Sequence, residues 1–229
     1  MQDDILVVIP ARGGSKGIPH KNSKELGGRP LISYSIDVAR QITSDENICV
    51  STDDERILDI AEQMRLSVPF IRPPELATDE ATTNDVLLHA LNHYFLAGTE
   101  YKKILLLQPT SPFRTVTQVK EAIGLFTPKI DMIVSVKKSH AASLICHEDT
   151  MGYLSLSLNS GARRRQDLPH FYEYNGAIYV INSSSLRDKG MSNFNKKVKY
   201  VMDEVSSLDI DTALDWNIAE YLIGHHLFQ

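Results

Sequence analysis

Two short stretches hold residues whose types and spacing suit chemistry. Near the N-terminus, residues 9–22 read IPARGGSKGIPHKN. Gly13, Gly14 and Gly17 stand among the cations Arg12, Lys16 and Lys21, directly behind the apolar run ILVVI. Glycine lets a backbone wrap closely round a ligand and aim several N–H groups at it. Cations add charge complementarity to phosphate oxygens. The spacing is not that of a P-loop, because Gly17 is followed by Ile18-Pro19. Nor is it a dinucleotide fingerprint, because Gly13 and Gly14 are adjacent. Near the C-terminus, SLDIDT sets Asp209 and Asp211 at i and i+2. On an extended chain such residues point the same way, and two carboxylates there can share one hard cation. On spacing alone, a loop in which Asp211 caps a helix from Thr212 competes with metal binding.

These groups need a frame. The apolar run at 5–9 is short, rich in Val and Ile, and bounded by Pro10, which predicts a strand buried on both faces. Further strands are expected at 48–50, 68–71, 104–107, 132–136, 177–181 and 198–202. Helical spacing of apolar residues predicts helices over 31–42, 57–64, 85–96, 116–126 and 212–223, with Thr52-Asp53-Asp54-Glu55 as a start signal. Strands alternating with helices imply parallel pairing through right-handed crossovers, and so an α/β class with helices on both faces of the sheet. In such sheets ligands sit beyond the carboxyl ends of the strands. PARGGSKG, TDDE, RPPELATDEATTND and QPTSPFR each follow a predicted strand and should converge on one site.

The rhythm breaks over residues 137–174, a polar excursion that carries Arg163-Arg164-Arg165 and lacks helical periodicity. It is too long for an ordinary connection, and Phe171, Tyr172 and Tyr174 beside arginines suit an interface. A homodimer is therefore expected. His225 and His226 read as a frayed helix end rather than a metal site. The chain has 229 residues, 42% apolar and 23% charged, with a net charge of −5. That suits one domain over 1–229 and gives no basic surplus for a nucleic-acid groove. Two distant cysteines, Cys49 and Cys146, argue against a disulfide framework and fit a reducing compartment. MQDDILVV matches neither a signal peptide nor a membrane span, so a cytoplasmic location without membrane contact is expected.

Six blocks resemble, in order, the signature of the acylneuraminate cytidylyltransferases. They are IPARGGSKGIPHKN, RPPELA from Arg72, QPTSPFR from Gln108 to Arg114, RQDLP from Arg165, NGAIY from Asn175 to Tyr179, and DID from Asp209 to Asp211. The resemblance implies a Rossmann-like, mostly parallel sheet and transfer of CMP from CTP to a nine-carbon 2-keto acid sugar. It also implies site roles. Arg12, Gly14, Ser15 and Lys16 would hold the triphosphate, with Lys16 also catalytic. Asn22 and Arg72 would contact the nucleoside, with Ala81 and Thr83 closing over the cytosine. Gln108, Arg165 and Tyr179 would line the sugar pocket, and Asp209 and Asp211 would bind Mg²⁺. The family's excursion helps form a dimer and reaches the neighbouring site. KDN, legionaminic and pseudaminic acids, and an eight-carbon keto-deoxy acid, remain alternative substrates. The IPARxxSxRLPGKPL pattern typical of eight-carbon enzymes differs from this loop. A non-catalytic nucleotide-binding regulatory module is the rival from another class.

Overall fold

The structure is a computed structural model that describes residues 4–14, 17–139, 145–148, 150–156 and 170–227. In chain order its strands are β1 (Ile5–Pro10), β2 (Glu25–Leu26), β3 (Arg29–Pro30), β4 (Ile48–Ser51), β5 (Lys103–Leu106), β6 (Met132–Ser139), β7 (Cys146–Glu148), β8 (Leu154–Leu156), β9 (Phe171–Asn182) and β10 (Lys197–Val201). The helices are α1 (Leu31–Arg40), α2 (Glu55–Gln63), α3 (Thr83–Leu96), α4 (Val116–Gly124), α5 (Ser183–Lys189) and α6 (Ala213–Gly224).

Six strands form one sheet in the order β10-β6-β9-β5-β1-β4. The pleat of β1 explains its unbroken apolar run. Ile5, Val7 and Ile9 join one core layer with Ile32 and Ile36 of α1, Ile57 of α2 and Val119 and Ala122 of α4. Leu6 and Val8 join the opposite layer with Leu87, Ala90 and Leu91 of α3 and Leu186 of α5. Each Val, Leu or Ile side chain among them contributes about 1.5–3 kcal/mol when removed from water. Helices thus cover both faces, as expected. Thr82, Thr115 and Thr212 start α3, α4 and α6 with capping boxes to Asp85, Gln118 and Asp215.

Five strands run the same way, but β9 is antiparallel to both β5 and β6. A strand reached through a returning excursion, without a crossover helix, comes back in the opposite sense. The β6–β9 ladder extends to Ser139↔Phe171, so pairing continues further into the 137–174 segment than its rhythm shows. Within that segment β7 and β8 form a separate antiparallel ribbon. The strand expected at 68–71 is not formed. Only an isolated bridge, Thr52↔Ile71, joins this stretch to the sheet edge. Pro69 offers no N–H to a ladder, and Pro73 and Pro74 end the run.

Candidate active site

The carboxyl ends of β1, β4 and β5 open onto a cleft of about 490 Å³. Its lining includes Arg12, Lys21, Asn22, Arg72, Ala81, Thr83, Gln108 and Asp211. Seven of these are sequence-derived site residues, brought together from five separate segments. Lys21 is the addition. The volume lies within the range of about 300–1,000 Å³ usual for small-ligand sites.

The loop after β1 forms one wall. Ala11 N–H continues the sheet pairing to Ser51 O at 2.9 Å. Gly13 N–H donates to Asp53 Oδ1 at 3.1 Å. The Arg12 guanidinium donates to Thr78 O at 3.0 Å and pairs with Asp79 at 2.9 Å. It therefore ties the loop to the segment carrying Ala81 and Thr83. Asn22 is buried; its Nδ2 donates to Arg12 O at 3.2 Å, while its Oδ1 has no hydrogen-bond partner. Gly14 is exposed and does not line the cleft. Ser15 and Lys16 lie outside the described residues, as do Arg163, Arg164 and Arg165.

Arg72 is anchored from below. Its Nε donates to Ser51 Oγ at 3.0 Å and its Nη2 to Ser51 O at 2.5 Å. Burial pulls its guanidinium below its ordinary pKa, while Asp53 opposes this. Two of its donors are thus spent on β4, which fixes the plane of the guanidinium at the cleft.

The acidic wall depends on alternation in Asp209-Ile210-Asp211. Ile210 is buried in a third apolar cluster with Ile18, Leu26, Leu31, Phe113 and Trp216. Its N–H donates to Thr110 O at 2.8 Å. Ile210 turns inwards and Asp211 lines the cleft, whereas Asp209 is not part of the cleft lining and sits against Gly176 of β9. Burial pushes the Asp209 carboxyl up from its ordinary value, and Asp211 adds to this; Thr110, Lys21 and Arg114 oppose it. Asp209 Oδ1 is buried with no hydrogen-bond partner. Asp211 is exposed, and Lys21 Nζ donates to its Oδ1 at 2.8 Å and to Ile210 O at 2.6 Å. Asp211 is not the helix cap, because Thr212 holds that place.

A β-bulge completes the site. Val134 pairs with Tyr179 and Val136 with Tyr174, so four residues of β9, 175–178, face the single Ser135. Ser135 Oγ donates to Asn175 Oδ1 at 2.5 Å, and Asn175 Nδ2 donates to Ser207 Oγ at 2.8 Å. Gly176 takes φ +74; a Cβ there would lie 3.1 Å from Gln108 Oε1 and 3.3 Å from Asp209 Oδ2. The bulge thus presses β9 against both residues. Burial pushes the Tyr179 phenol up to about 12, with Asp209 and Tyr174 adding to it. Tyr179 therefore stays a neutral hydroxyl near Asp209. Beneath them the fully buried Arg114 donates to Gln108 O and, at 2.8 Å, to Ser35 Oγ.

Sequence reasoning missed Lys21 as a partner of Asp211, Arg114 as the support of Gln108, and the Asn175–Gly176 bulge. The Asn-Gly pair within NGAIY was an available turn signal for the last.

The donor set fits a hard divalent cation such as Mg²⁺. It offers a carboxylate oxygen buried without a partner beside a second, exposed carboxylate. Among the described residues no group of three or more His, Cys, Asp or Glu could hold a metal, so other oxygens must complete the shell. Mg²⁺ is commonly held by one or two carboxylates plus substrate phosphates.

A family model described as Cytidylyltransferase matches residues 6–221. The chain belongs to the cytidylyltransferase family. It is 37% identical over 223 residues to an N-acylneuraminate cytidylyltransferase of Escherichia coli O18:K1:H7, covering 96% of this chain and 52% of that protein. It is 34% identical to a CMP-N,N'-diacetyllegionaminic acid synthase of Legionella pneumophila, covering 96% of each. The chain thus spans about half the length of some curated relatives and nearly all of others. A solved CMP:2-keto-3-deoxy-manno-octonic acid synthetase complexed with CTP matches the fold with TM-score 0.72 at 18% identity, over 97% of this chain and 99% of that one. No helix among the described residues is long and apolar enough to cross a membrane.

Proposed function

We propose that this cytidylyltransferase moves CMP from CTP to the anomeric hydroxyl of a nine-carbon 2-keto acid sugar of the sialic type, releasing pyrophosphate. One observation carries the reading. A single cleft joins an arginine- and asparagine-lined wall to Gln108 and the Asp211 carboxylate, and the β9 bulge packs Gly176 against both Gln108 and the neighbouring Asp209. The first wall suits a nucleotide and the second the reacting hydroxyl. Nucleotidyl transfer depends mainly on positioning and on neutralising charge. Arg72 and Asn22, locked by backbone contacts, orient the nucleoside. Arg12 and the loop's N–H groups meet the phosphates. Gln108, held by Arg114, and the Tyr179 hydroxyl, kept protonated by burial, orient the sugar. Bound at Asp209 and Asp211, Mg²⁺ would neutralise phosphate charge and make a coordinated hydroxyl easier to deprotonate.

Two relatives with different named substrates frame the sugar question, the acylneuraminate enzyme and the legionaminic acid synthase. The test is pyrophosphate release with CTP, Mg²⁺ and a panel of nine-carbon acids plus one eight-carbon acid. Fastest turnover on a sialic acid supports the reading. Fastest turnover on another acid moves the substrate, and no turnover on any acid overturns the activity. The same reading includes a homodimer in the cytoplasm. The exposed Ile145 and Leu154 of the β7–β8 region favour a second copy as their cover. Light scattering tests this; a monomeric mass refutes it.

A further inference from the structure

Lys21 is out of character for a lysine in a cleft. Lysines usually keep their ammonium in water, but here the residue is only 8% exposed. Its ammonium is fixed by Asp211 Oδ1 at 2.8 Å and Ile210 O at 2.6 Å. The position is built by the whole loop. His20 adopts φ +51 with its ring against Arg56, and Lys21 and Asn22 follow as buried residues. Gly17 approaches the Asp211 carbonyl so closely that a Cβ would lie 2.2 Å from it. The glycine loop therefore clasps the aspartate segment and inserts a cation beside the carboxylates assigned to metal.

We propose that Lys21 is the built-in counter-cation of the Asp209/Asp211 pair, and that it makes divalent-cation binding conditional on nucleotide. The inference rests on the metal assignment above and adds order to it. Without nucleotide, the pair is already partly neutralised, and an incoming dication meets a like charge in contact with one of its two ligands. Two carboxylates alone are also a weak cage for a cation that wants about six oxygens. A triphosphate changes both conditions. It brings phosphate oxygens to complete the shell, and it gives the Lys21 ammonium a second anion within the cleft that Lys21 itself lines. The protein would then hold no metal at rest and take it up with the nucleotide.

The test is Mn²⁺ binding to the nucleotide-free protein, read from the loss of the free-ion signal in electron paramagnetic resonance. Removing a like charge in contact with a ligand is worth about one pKa unit or more. On that scale Lys21→Met should bind Mn²⁺ roughly tenfold more tightly than wild type. Lys21→Gln is run beside it, being neutral yet keeping an N–H for Ile210 O, and thermal melting checks both folds. Lys21→Arg keeps the charge and should bind as weakly as wild type. Adding Asp211→Asn to Lys21→Met should abolish the gain. Unchanged affinity in both neutral variants overturns the counter-cation role. So does a gain that survives Asp211→Asn, because the ion then sits elsewhere. The metal assignment is checked separately by Asp211→Asn alone, whose metal-dependent turnover with CTP should collapse whatever Lys21 does.

Discussion

Replacing Gly17 with alanine should damage catalysis more than any other single methyl in the loop after β1. A Cβ built on Gly17 lies 2.2 Å from the Asp211 carbonyl oxygen, where ordinary contact begins near 3.4 Å. The obstacle is backbone, so no side chain can swing aside. The Asp211 side is held by Ile210 N–H to Thr110 O at 2.8 Å and by Lys21 to Ile210 O at 2.6 Å. The loop side is held by Ile18, buried against Ile210. One of them must yield by about 1 Å, and a misplacement of that size can cost about 10²-fold in rate. The fall should appear in kcat, since the carboxylates act on the reacting centre. Overpacking should also lower stability by about 1–3 kcal/mol. Steady-state pyrophosphate release gives the first quantity, and denaturant unfolding followed by Trp216 fluorescence gives the second. Gly124→Ala, at the end of α4 and away from the cleft, is the control: nothing lies within 4 Å of its Cβ, so neither quantity should fall. A Gly17→Ala enzyme within about threefold of wild-type kcat, under 1 kcal/mol in barrier, would refute the reasoning.

Asp211→Asn should lower turnover by about 10²-fold or more by weakening the cation's charge stabilisation, with circular dichroism unchanged; near-normal turnover would remove Asp211 from the site. Asn175→Ala leaves the Ser135 and Ser207 hydroxyls without their buried partner, so urea unfolding should show a loss of about 1–3 kcal/mol and turnover should fall as the bulge relaxes; an unchanged midpoint counts against the bulge as a supporting element. Asp131 is buried, and its carboxyl is held well below the usual range, first by Lys189 at 2.9 Å and then by the Lys196 N–H, the Ser185 hydroxyl and the Asn195 N–H. A depressed folded pKa stabilises fully above the unfolded value of about 3.9 and is lost as pH falls through it. The stability gap between wild type and Asp131→Asn should therefore be largest near neutral pH and shrink below about pH 4; a gap that does not change with pH refutes the assignment.

Much of this protein was legible in one dimension because the physics there is local. The period of the apolar residues set β1 and the helices, since a buried strand and an amphipathic helix each need a fixed repeat. Thr-x-x-Asp and Thr-x-x-Gln stand at the starts of α3, α4 and α6, a local signal because a cap is satisfied within four residues, although only the start before α2 was read from the sequence. The Asp209/Asp211 pair was legible because side chains alternate along extended backbone. The rule that ligands sit beyond strand ends collected Arg12, Arg72 and Gln108 before any coordinates. The tertiary structure decided what depends on distant partners. β9 looks like any buried strand in sequence, and only its pairing between β5 and β6 shows that it runs backwards. That reversal delivers Gly176 to the same end of the sheet as Gln108. The 68–71 stretch has strand composition, but it flanks the sheet edge and its prolines leave it a single bridge. Lys21 and Asp211 stand 190 residues apart, and nothing local to either predicts their contact. Where a charge finds its counter-charge is set by how the loop after β1 folds over the segment before α6, and that is a property of the assembled chain.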